Sequence, residues 1–343
     1  MKGTMKFTAT LTAALLALPL ALSTTPASAT VTSSFATPGS IAISGNHAYV
    51  VSQPDPSAPG FVTEVNAATG QITRTFTGSM FNFTAPALIT IAGSTGVIGY
   101  NNTIVEFSLA TGKLIRKINA PKYHLAGIDA IATNGPNIFV AGTNEDPKAT
   151  IVSSVTEFNA ATGALVNCFY APKYHLNGPT GFAFSGSNLF VSSYSSVTEI
   201  NAATGAVVRV LSALNYQFSQ TSGIMIDGPN AFVANNKSVT EFNASTGTLV
   251  RVISGPSYHF DAVSTLVPYG SNIYATSIYN STVTEINAAT GALVQVLSNK
   301  SYGLNQPVAS AIYGSNIFVV SLLSSGITEI NAATGALVQI LGR

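Results

Sequence analysis

Short apolar segments separated by polar joints recur along most of the chain. The last unit shows four of them, VASAIYG, SNIFVVS, GITEINAATG and ALVQILG. The segments are rich in Val, Ile, Phe and Thr, and Gly, Asn, Ser or Pro occupies the joints, which is typical of β-strands separated by turns. In NAATG the Asn can bond to the turn backbone and the Gly supplies a left-handed residue, so this joint predicts a hairpin turn.

The four-segment unit occurs seven times. TEINAATGALVQ at Thr284–Gln295 returns without change at Thr328–Gln339, and five looser copies precede them. Each copy contains one glutamate: Glu64, Glu106, Glu157, Glu199, Glu241, Glu285 and Glu329. Their spacings of 42, 51, 42, 42, 44 and 44 residues indicate a repeat architecture. Seven units of four strands predict an all-β fold, a seven-bladed β-propeller with four antiparallel strands in each blade.

Two other repeat architectures fit the sequence less well than the propeller. A helical repeat is disfavoured because Gly and Asn interrupt every potential helix and charged helix faces are missing. A parallel β-helix usually has shorter rungs, and it would not need a tight hairpin turn in each unit. One blade cannot bury both of its faces, whereas seven similar blades in a ring bury each other's, so the propeller explains the repetition.

We expect each blade to come from one continuous segment of chain. FATP at Phe35–Pro38 aligns with FTAP at Phe83–Pro86, just before a first strand, and the last residue, Arg343, follows shortly after a fourth strand. Blades 1 and 7 should therefore meet by side-chain packing, with TVTSS at Thr30–Ser34 adding to an edge.

The repeat VTEINAATGALV resembles that of the YVTN and NHL-type β-propellers, which are secreted or periplasmic proteins of many bacteria. The resemblance covers residues 30–343 and implies the fold, but it implies no single activity, because the family includes binders, scaffolds and a few enzymes. NAATG also resembles the turn of quinoprotein propellers. Those proteins dock their repeats with tryptophan, which this chain lacks, so no quinone or other cofactor is expected. Streptogramin lyases share the seven-bladed form, but their His/Glu site has no match here, and no catalytic residue is carried over.

The first 29 residues predict a secretory signal peptide. Lys2 and Lys6 form a positive region, LTAALLALPLAL at Leu11–Leu22 is apolar, and ASA at Ala27–Ala29 is a small-x-small cleavage site. A membrane anchor is the weaker interpretation, because the apolar run is short and Pro19 interrupts it. We expect the mature protein, residues 30–343, to begin near Thr30 and to be secreted.

Charge is scarce, at 8% of residues against roughly 25% in typical proteins. Without Lys2 and Lys6 the chain has twelve basic and thirteen acidic residues, a net charge near −1. This balance provides no excess of positive charge for binding nucleic acid and no polybasic patch for binding a membrane surface. Cys168, the one cysteine, has no partner for a disulfide within the chain and is expected to be a small buried hydrophobic residue.

Antiparallel topology divides the loops between two faces of the ring. If the strands of each blade are named A to D from the axis outward, the A–B and C–D turns lie on one face, tiled by GSN and NAATG with little variation; we call it the uniform face. The B–C and D–A loops lie on the other, which we call the variable face. Insertions confined to one face are typical of binding surfaces.

The variable face supplies the candidate binding residues. Its D–A loops contain an aromatic pattern that includes YHL, YHL and YHF, and one B–C loop, GTNEDPKAT at Gly142–Thr150, is long and charged. The candidates are Tyr123, His124, Tyr174, His175, Tyr258, His259, Glu145, Asp146 and Lys148. Each also has a structural interpretation: the tyrosines suit wedges between blades, and the histidines suit solvated or Tyr-packed positions better than metal ligation, because loops of different blades are expected to lie too far apart for zinc.

The repeated glutamates have a functional and a structural interpretation. A ring of cation ligands would need them to converge, but strand C is third from the axis. We therefore expect a structural role in which each buried carboxylate has donors nearby.

The axial channel is the usual place for an enzyme site in this fold. Counting back from the glycine of each first turn predicts that strand A presents small or apolar side chains there: Ala42, Thr90, Ala132, Ala183, Met225, Val267 and Ala311. These side chains cannot carry acid–base chemistry, and no catalytic or metal-binding residue is predicted.

The sequence favours a secreted, monomeric binding or scaffolding module whose partner is a protein or an extracellular cell-envelope glycan. The alternative is a metal-assisted lyase or lactonase-like hydrolase with its site at the mouth of the channel. Clustered carboxylates and histidines at that mouth would favour the enzyme, and small apolar residues there would favour the binder.

Overall fold

The structure is a computed structural model, and it describes residues 35–54, 58–78, 81, 83, 88–119, 123, 125, 127–145, 151–170, 172–298, 300–324 and 326–342, without the side chains of 144, 145, 151 and 152. It contains seven four-stranded antiparallel sheets, each built from consecutive strands. The innermost strands of successive sheets contact one another around a closed ring. The predicted seven-bladed β-propeller is confirmed.

The strands are numbered β1 to β28 in chain order, four to a blade. Blades 1 to 4 contain β1 Pro38–Ser44, β2 His47–Ser52, β3 Phe61–Asn66, β4 Ile72–Phe76; β5 Leu88–Ala92, β6 Thr95–Tyr100, β7 Thr103–Ser108, β8 Leu114–Ile118; β9 Ile128–Asn134, β10 Asn137–Glu145, β11 Ile151–Asn159, β12 Leu165–Phe169; and β13 Pro179–Ser185, β14 Asn188–Ser193, β15 Ser196–Asn201, β16 Val207–Ser212. Blades 5 to 7 contain β17 Gly223–Asp227, β18 Asn230–Ala234, β19 Ser238–Asn243, β20 Leu249–Ser254; β21 Val263–Tyr269, β22 Asn272–Ser277, β23 Thr282–Asn287, β24 Leu293–Leu297; and β25 Pro307–Tyr313, β26 Asn316–Ser321, β27 Gly326–Asn331, β28 Leu337–Leu341.

In the part of the chain that the structure describes, helical structure is scarce and lies between the blades. One α-helical turn, α1 Ala213–Tyr216, and 3₁₀ turns at Pro172–Tyr174, Pro256–Tyr258 and Lys300–Tyr302 connect strand D of one blade to strand A of the next. Within the described residues, no helix has the length and apolar character needed to cross a membrane.

The NAATG turn has the predicted geometry. In blade 4 the Asn201 side-chain oxygen accepts a hydrogen bond from the Thr204 backbone amide at 3.0 Å, and the Gly205 amide donates to the Asn201 carbonyl at 2.8 Å. Gly205 has a φ of 68°, in the left-handed region that glycine adopts without strain. The Asn and the Gly of the motif therefore close the hairpin between strands C and D.

The apolar core lies between the blades. Each cluster draws on two neighbouring sheets, because the two faces of a sheet pack against different neighbours; Phe190 of blade 4, for example, packs with Val233 and Phe242 of blade 5. Blades 7 and 1 close the ring in the same way: Phe35, Ile41 and Val50 pack with Phe318 and Val320. Closure by side-chain packing is as expected, whereas the predicted contribution of Thr30–Ser34 lies outside the described residues.

Candidate functional site

The seven repeated glutamates are buried in strand C of their blades. Glu241 in β19 shows the typical surroundings. Asn230, the first residue of strand B, donates its side-chain amide to one carboxylate oxygen at 2.6 Å, and Nε of Arg251 in strand D lies 2.9 Å from the other. We call this arrangement of strands B, C and D the glutamate clamp.

The clamp repeats around the ring with variations in its two partners. On the strand B side, four further asparagines donate to their glutamates at 2.6 Å: Asn137, Asn188, Asn272 and Asn316. In blade 1, Nδ1 of His47 lies 2.9 Å from Glu64 instead. On the strand D side, the cross-strand neighbours of the seven glutamates are Arg74, Arg116, Asn167, Arg209, Arg251, Gln295 and Gln339.

Every glutamate therefore has a polar or cationic partner, as predicted for buried carboxylates. Burial still raises the pKa of Glu106, Glu199 and Glu241, and the arginine beside each opposes that shift. Because each carboxylate is held by its own sheet, the glutamates do not converge. The clamps stabilise the blades, and the expected structural role agrees with this geometry.

The arginines of the clamps also join neighbouring blades. Arg251 uses Nε for Glu241 of its own blade and donates from Nη2 to the backbone carbonyl of Ala289, in the C–D turn of the next blade, at 2.8 Å. Arg116 and Arg209 reach Ala161 and Ser245 in the same way, both at 2.6 Å. Each of these arginines thus pairs with the glutamate of its own blade and also bonds that blade to the following one.

The tyrosines of the D–A loops are wedges between blades. Tyr174 is buried and Tyr258 is half-buried, and their hydroxyls donate to the carbonyls of Gly205 and Gly291 in the next blade at 3.0 and 2.8 Å. Tyr123 is half-buried and meets Phe158 edge-on, with ring centroids 5.3 Å apart. The structural interpretation accounts for these contacts, and any binding role of the three tyrosines would use their remaining surface.

In blades 3 to 7 the threonine of the TE pair donates a hydrogen bond to the preceding D–A loop. Thr198 donates to the Tyr174 carbonyl at 2.7 Å, and Thr284 donates to the Tyr258 carbonyl at the same distance. The threonine therefore serves the junction between blades while the adjacent glutamate serves the clamp, which explains why the two residues recur together.

The histidines of the variable face are exposed and occupy a special backbone position. His175 and His259 have φ values of 50° and 54°, and Gln217 takes the same left-handed position after Tyr216 with a φ of 55°. His124 lies outside the described residues. In the part of the chain that the structure describes, no three His, Cys, Asp or Glu side chains come together in an arrangement suited to a metal ion.

The predicted charged loop begins later than the sequence suggested. The sequence predicts a loop for residues 142–145, but they continue strand β10, and Glu145 pairs with Ile151 at the end of a nine-residue hairpin arm. The Glu145 side chain, Asp146 and Lys148 lie outside what the structure describes. The extended arm explains the 51-residue spacing.

Sequence reasoning missed the most exposed apolar side chains of the variable face. They lie in B–C loops or at D–A connections: Tyr170, Tyr194, Leu214, Tyr279 and Leu323. Leu214 is 94% exposed and Tyr279 is 67% exposed. The other exposed large apolar residues of the described chain lie in the outermost strands. The only signal in the sequence was an aromatic or leucine residue just after strand B in blades 4, 6 and 7.

The predicted channel positions were mostly wrong. Ala42, Met225 and Val267 pack within clusters between blades, as do Ala183 and Ala311. The cavity is lined instead by residues nearer the start of strand A, such as Ser40, Ile89 and Ala309, which precede the counted positions by one or two residues. Ala132 does line the axial cavity.

The axial cavity has a volume of about 260 Å³ and is lined by all seven blades. Its lining is mainly small, apolar or hydroxyl-bearing and includes Ser40, Ile89, Ala130, Gly181, Ser222 and Ala309. Several hydroxyls join successive blades: Ser40 accepts from the Ile89 amide at 3.3 Å, and Ser222 donates to the Val263 carbonyl. Asp129 is the one carboxylate among the described lining residues. Burial raises its pKa, which a hydrogen bond from Thr143 opposes.

Cys168 is half-buried in β12, less enclosed than expected. Its sulfur lies 3.6 Å from the Thr156 hydroxyl, and burial raises the pKa of the thiol. A raised pKa disfavours the reactive thiolate, which is consistent with a packing role.

Neither a scan against protein-family models nor a search of curated proteins finds a match to this chain.

Proposed function

We propose that the protein is an exported binding or scaffolding module of the YVTN/NHL type, whose variable face engages a protein or a cell-envelope glycan. The observation that carries the proposal is the concentration of exposed Tyr170, Tyr194, Leu214, Tyr279 and Leu323 in the connections of that one face. Aromatic side chains contribute much of the energy of interfaces because they bury a large area at low entropic cost.

The backbone of these loops is held in place while the side chains stay exposed. The Tyr194 amide donates to the Asn177 carbonyl at 3.0 Å, and the Tyr279 amide donates to the Asp261 carbonyl at 3.2 Å. Each B–C loop is thus fastened to the preceding D–A loop. Such pre-organisation lowers the entropic cost of binding.

The exposed tyrosines of the B–C loops lie beside the histidines that the sequence predicts as candidate binding residues. The Asn280 side chain, beside Tyr279, donates to the His259 carbonyl at 3.0 Å, and the Ser196 hydroxyl donates to the His175 carbonyl at 3.4 Å. A tyrosine and a histidine therefore come from adjoining loops in blades 4 and 6. Tyrosine faces suit stacking on sugar rings, and both side chains suit a protein interface.

The axial cavity supports the binding module over the metal-assisted lyase or hydrolase. Its described lining consists mainly of small, apolar and hydroxyl-bearing side chains, with Asp129 as the single carboxylate. By the criterion drawn from the sequence, this composition favours a binder.

Export belongs to the same proposal. Residues 1–29 are the proposed signal peptide, with cleavage after Ala29. Amino-terminal sequencing of the protein recovered from culture supernatant tests it. A sequence beginning near Thr30 is expected, and recovery of the uncleaved chain from the cytoplasm alone would contradict export.

The binding proposal is tested by capture from the cell envelope and culture supernatant of the source cells. The bait proteins are the wild type, a Tyr194→Ser/Tyr279→Ser variant and an Ala333→Arg variant, since Ala333 is exposed on the uniform face. We expect the tyrosine variant to lose the captured partner and Ala333→Arg to retain it. Treating the captured material with protease or with glycan-degrading enzymes distinguishes the two partner classes. Loss on Ala333→Arg alone would refute the variable face.

A further inference from the structure

The junctions between blades contain a repeated slot for the guanidinium group of an arginine. The slot is lined by the clamp glutamate of one blade and by the C–D turn of the next. At the junction of blades 4 and 5, Arg209 occupies it, with Nε 2.6 Å from Glu199 and Nη2 donating to the Ser245 carbonyl at 2.6 Å. Its guanidinium also lies so close to Gly247 that a Cβ there would collide with it.

Blades 6 and 7 place a glutamine at this position, and it still fills the slot. Gln295 donates to Glu285 at 2.6 Å and Gln339 donates to Glu329 at the same distance. A Cβ on Gly335 would collide with Gln295, and one on Gly70 would collide with Gln339. The glutamines therefore touch the turn of the following blade.

The junction of blades 3 and 4 differs. Asn167 is too short to cross it and ends at Glu157, to which it donates at 2.6 Å. In the described structure no hydrogen bond from blade 3 reaches the carbonyl of Ala203, the counterpart of Ser245. A Cβ on Gly205 would meet Phe169 and Tyr174 and not Asn167. In the described structure this is the one junction that no polar side chain of strand D spans, although Tyr174 of the D–A loop still donates to the Gly205 carbonyl there.

A cavity of about 420 Å³ lies where the arginine runs in the other blades. Its lining includes Glu157, Asn167, Val166, Ala202 and Ala203, and it opens toward the uniform face. Glu157 is only 4% exposed, and both of its described partners, Asn137 and Asn167, are neutral amides. Glu157, whose described partners include no cation, and Ala203, the counterpart of Ser245, thus line the same cavity.

We propose that the cavity between blades 3 and 4 binds a guanidinium group supplied by another molecule. That group would donate to Glu157 and to the Ala203 carbonyl, as Arg209 does to Glu199 and Ser245 one blade further on. The guanidinium is favoured over an ammonium because its planar fork can serve two acceptors at once and its hydration is weaker. The site lies on the uniform face and does not rest on the proposed function.

The test is a titration of the full-length mature protein with ethylguanidinium chloride at millimolar concentrations, followed by NMR and by thermal melts. Ethylammonium chloride at equal ionic strength is the control for charge. We expect one ethylguanidinium bound per chain, a raised melting temperature, and binding of ethylammonium that is about tenfold weaker. A second arm uses the capped peptide Gly-Arg-Gly; binding of the peptide indicates an arginine of a protein as the source, and exclusion of the peptide indicates a small guanidino compound.

Two variants make the result decisive. Asn167→Arg should fill the cavity from within, abolish ethylguanidinium binding and raise the melting temperature. Arg209→Asn should open a second cavity between blades 4 and 5, so that binding increases from one to two per chain and ethylguanidinium recovers part of the lost stability. Equal binding of the two cations by the wild type, or unchanged binding by Asn167→Arg, would overturn the proposal.

Discussion

Arg251 lies with Nε 2.9 Å from the carboxylate of Glu241, directly across the strand pair β19–β20. Glu241 is fully buried, whereas the arginine side chain is 29% exposed. The pair thus sits at the border of the core, with the negative group inside and the positive group reaching out to the next blade.

Removing the Arg251 side chain should destabilise the fold more than removing an exposed charged side chain does. Arg251→Ala leaves a buried carboxylate with one amide donor and opens the junction to blade 6, so we expect a loss of about 2–3 kcal/mol in the free energy of unfolding. The measurement is chemical denaturation, with the exposed Lys237→Ala as the control for charge removal. Adding Glu241→Gln should recover part of the loss; a double variant as unstable as the sum of the single ones would show that the two residues do not interact.

The raised pKa values of Glu106, Glu199 and Glu241 set a pH dependence. For these acids the folded state holds its protons to a higher pH than the unfolded state, whose carboxyls titrate near 4.5. The folded protein then binds more protons in that interval, so these three groups lower the stability as the pH rises from about 4.5 through their folded pKa values. Melting temperatures of the wild type and of Glu241→Gln across this range test the sign. The variant should show a shallower decline, and a steeper one would contradict the direction.

The turn glycines fall into two groups that separate backbone strain from crowding. Gly291 has a φ of 74°, and a Cβ there would lie 2.8 Å from Arg251 Cδ, whereas Gly314 has a φ of 57° with nothing within 4 Å of a Cβ. We expect Gly314→Ala to cost about 1 kcal/mol from strain and Gly291→Ala to cost more, because the arginine must also move. Equal losses in chemical denaturation would mean that crowding contributes nothing.

The tyrosine wedges should depend on their hydroxyls. Tyr258→Phe keeps the ring but leaves the Gly291 carbonyl without the donor now 2.8 Å away, so we expect a loss of about 1 kcal/mol. Tyr279→Phe is the matched control, since that side chain is 67% exposed. A thermal melt of Tyr258→Phe indistinguishable from that of the control would limit the wedge to ring packing.

The fold could be predicted from the sequence because the same pattern of strand and turn residues occurs seven times along the chain. The Asn and Gly of NAATG specify the hairpin through backbone geometry that short-range sequence controls. The clamp partners were also present in the sequence: the residue ten positions after each glutamate is its strand D neighbour, as in Glu64 and Arg74 or Glu285 and Gln295.

The surface could not be predicted to the same depth, because exposure depends on the adjoining blade. Tyr258 and Tyr279 both belong to the variable face, yet one reaches into the next blade and the other projects outward. The channel positions failed for a different reason: counting back from the glycine of a turn does not tell which part of strand A borders the axial cavity, and the cavity lies near the start of that strand.

The cross-blade bonds described above for arginines and tyrosines run one way, from a blade to its successor. Arg251 and Tyr258 hold the turn of blade 6, and Tyr302 holds the Gly335 carbonyl of blade 7. Because the chain is synthesised from its amino terminus, the arginine and tyrosine donors of each such junction are made before the carbonyl acceptors of the next blade. Each new blade can therefore bind to a blade that is already present. These contacts join residues close in sequence, which favours fast assembly. The junction of blades 7 and 1 is the exception, because it can form only after the last strand has been synthesised. Closure of the ring is therefore the last step of assembly, and until then the chain is an open arc whose two end blades each lack one neighbour.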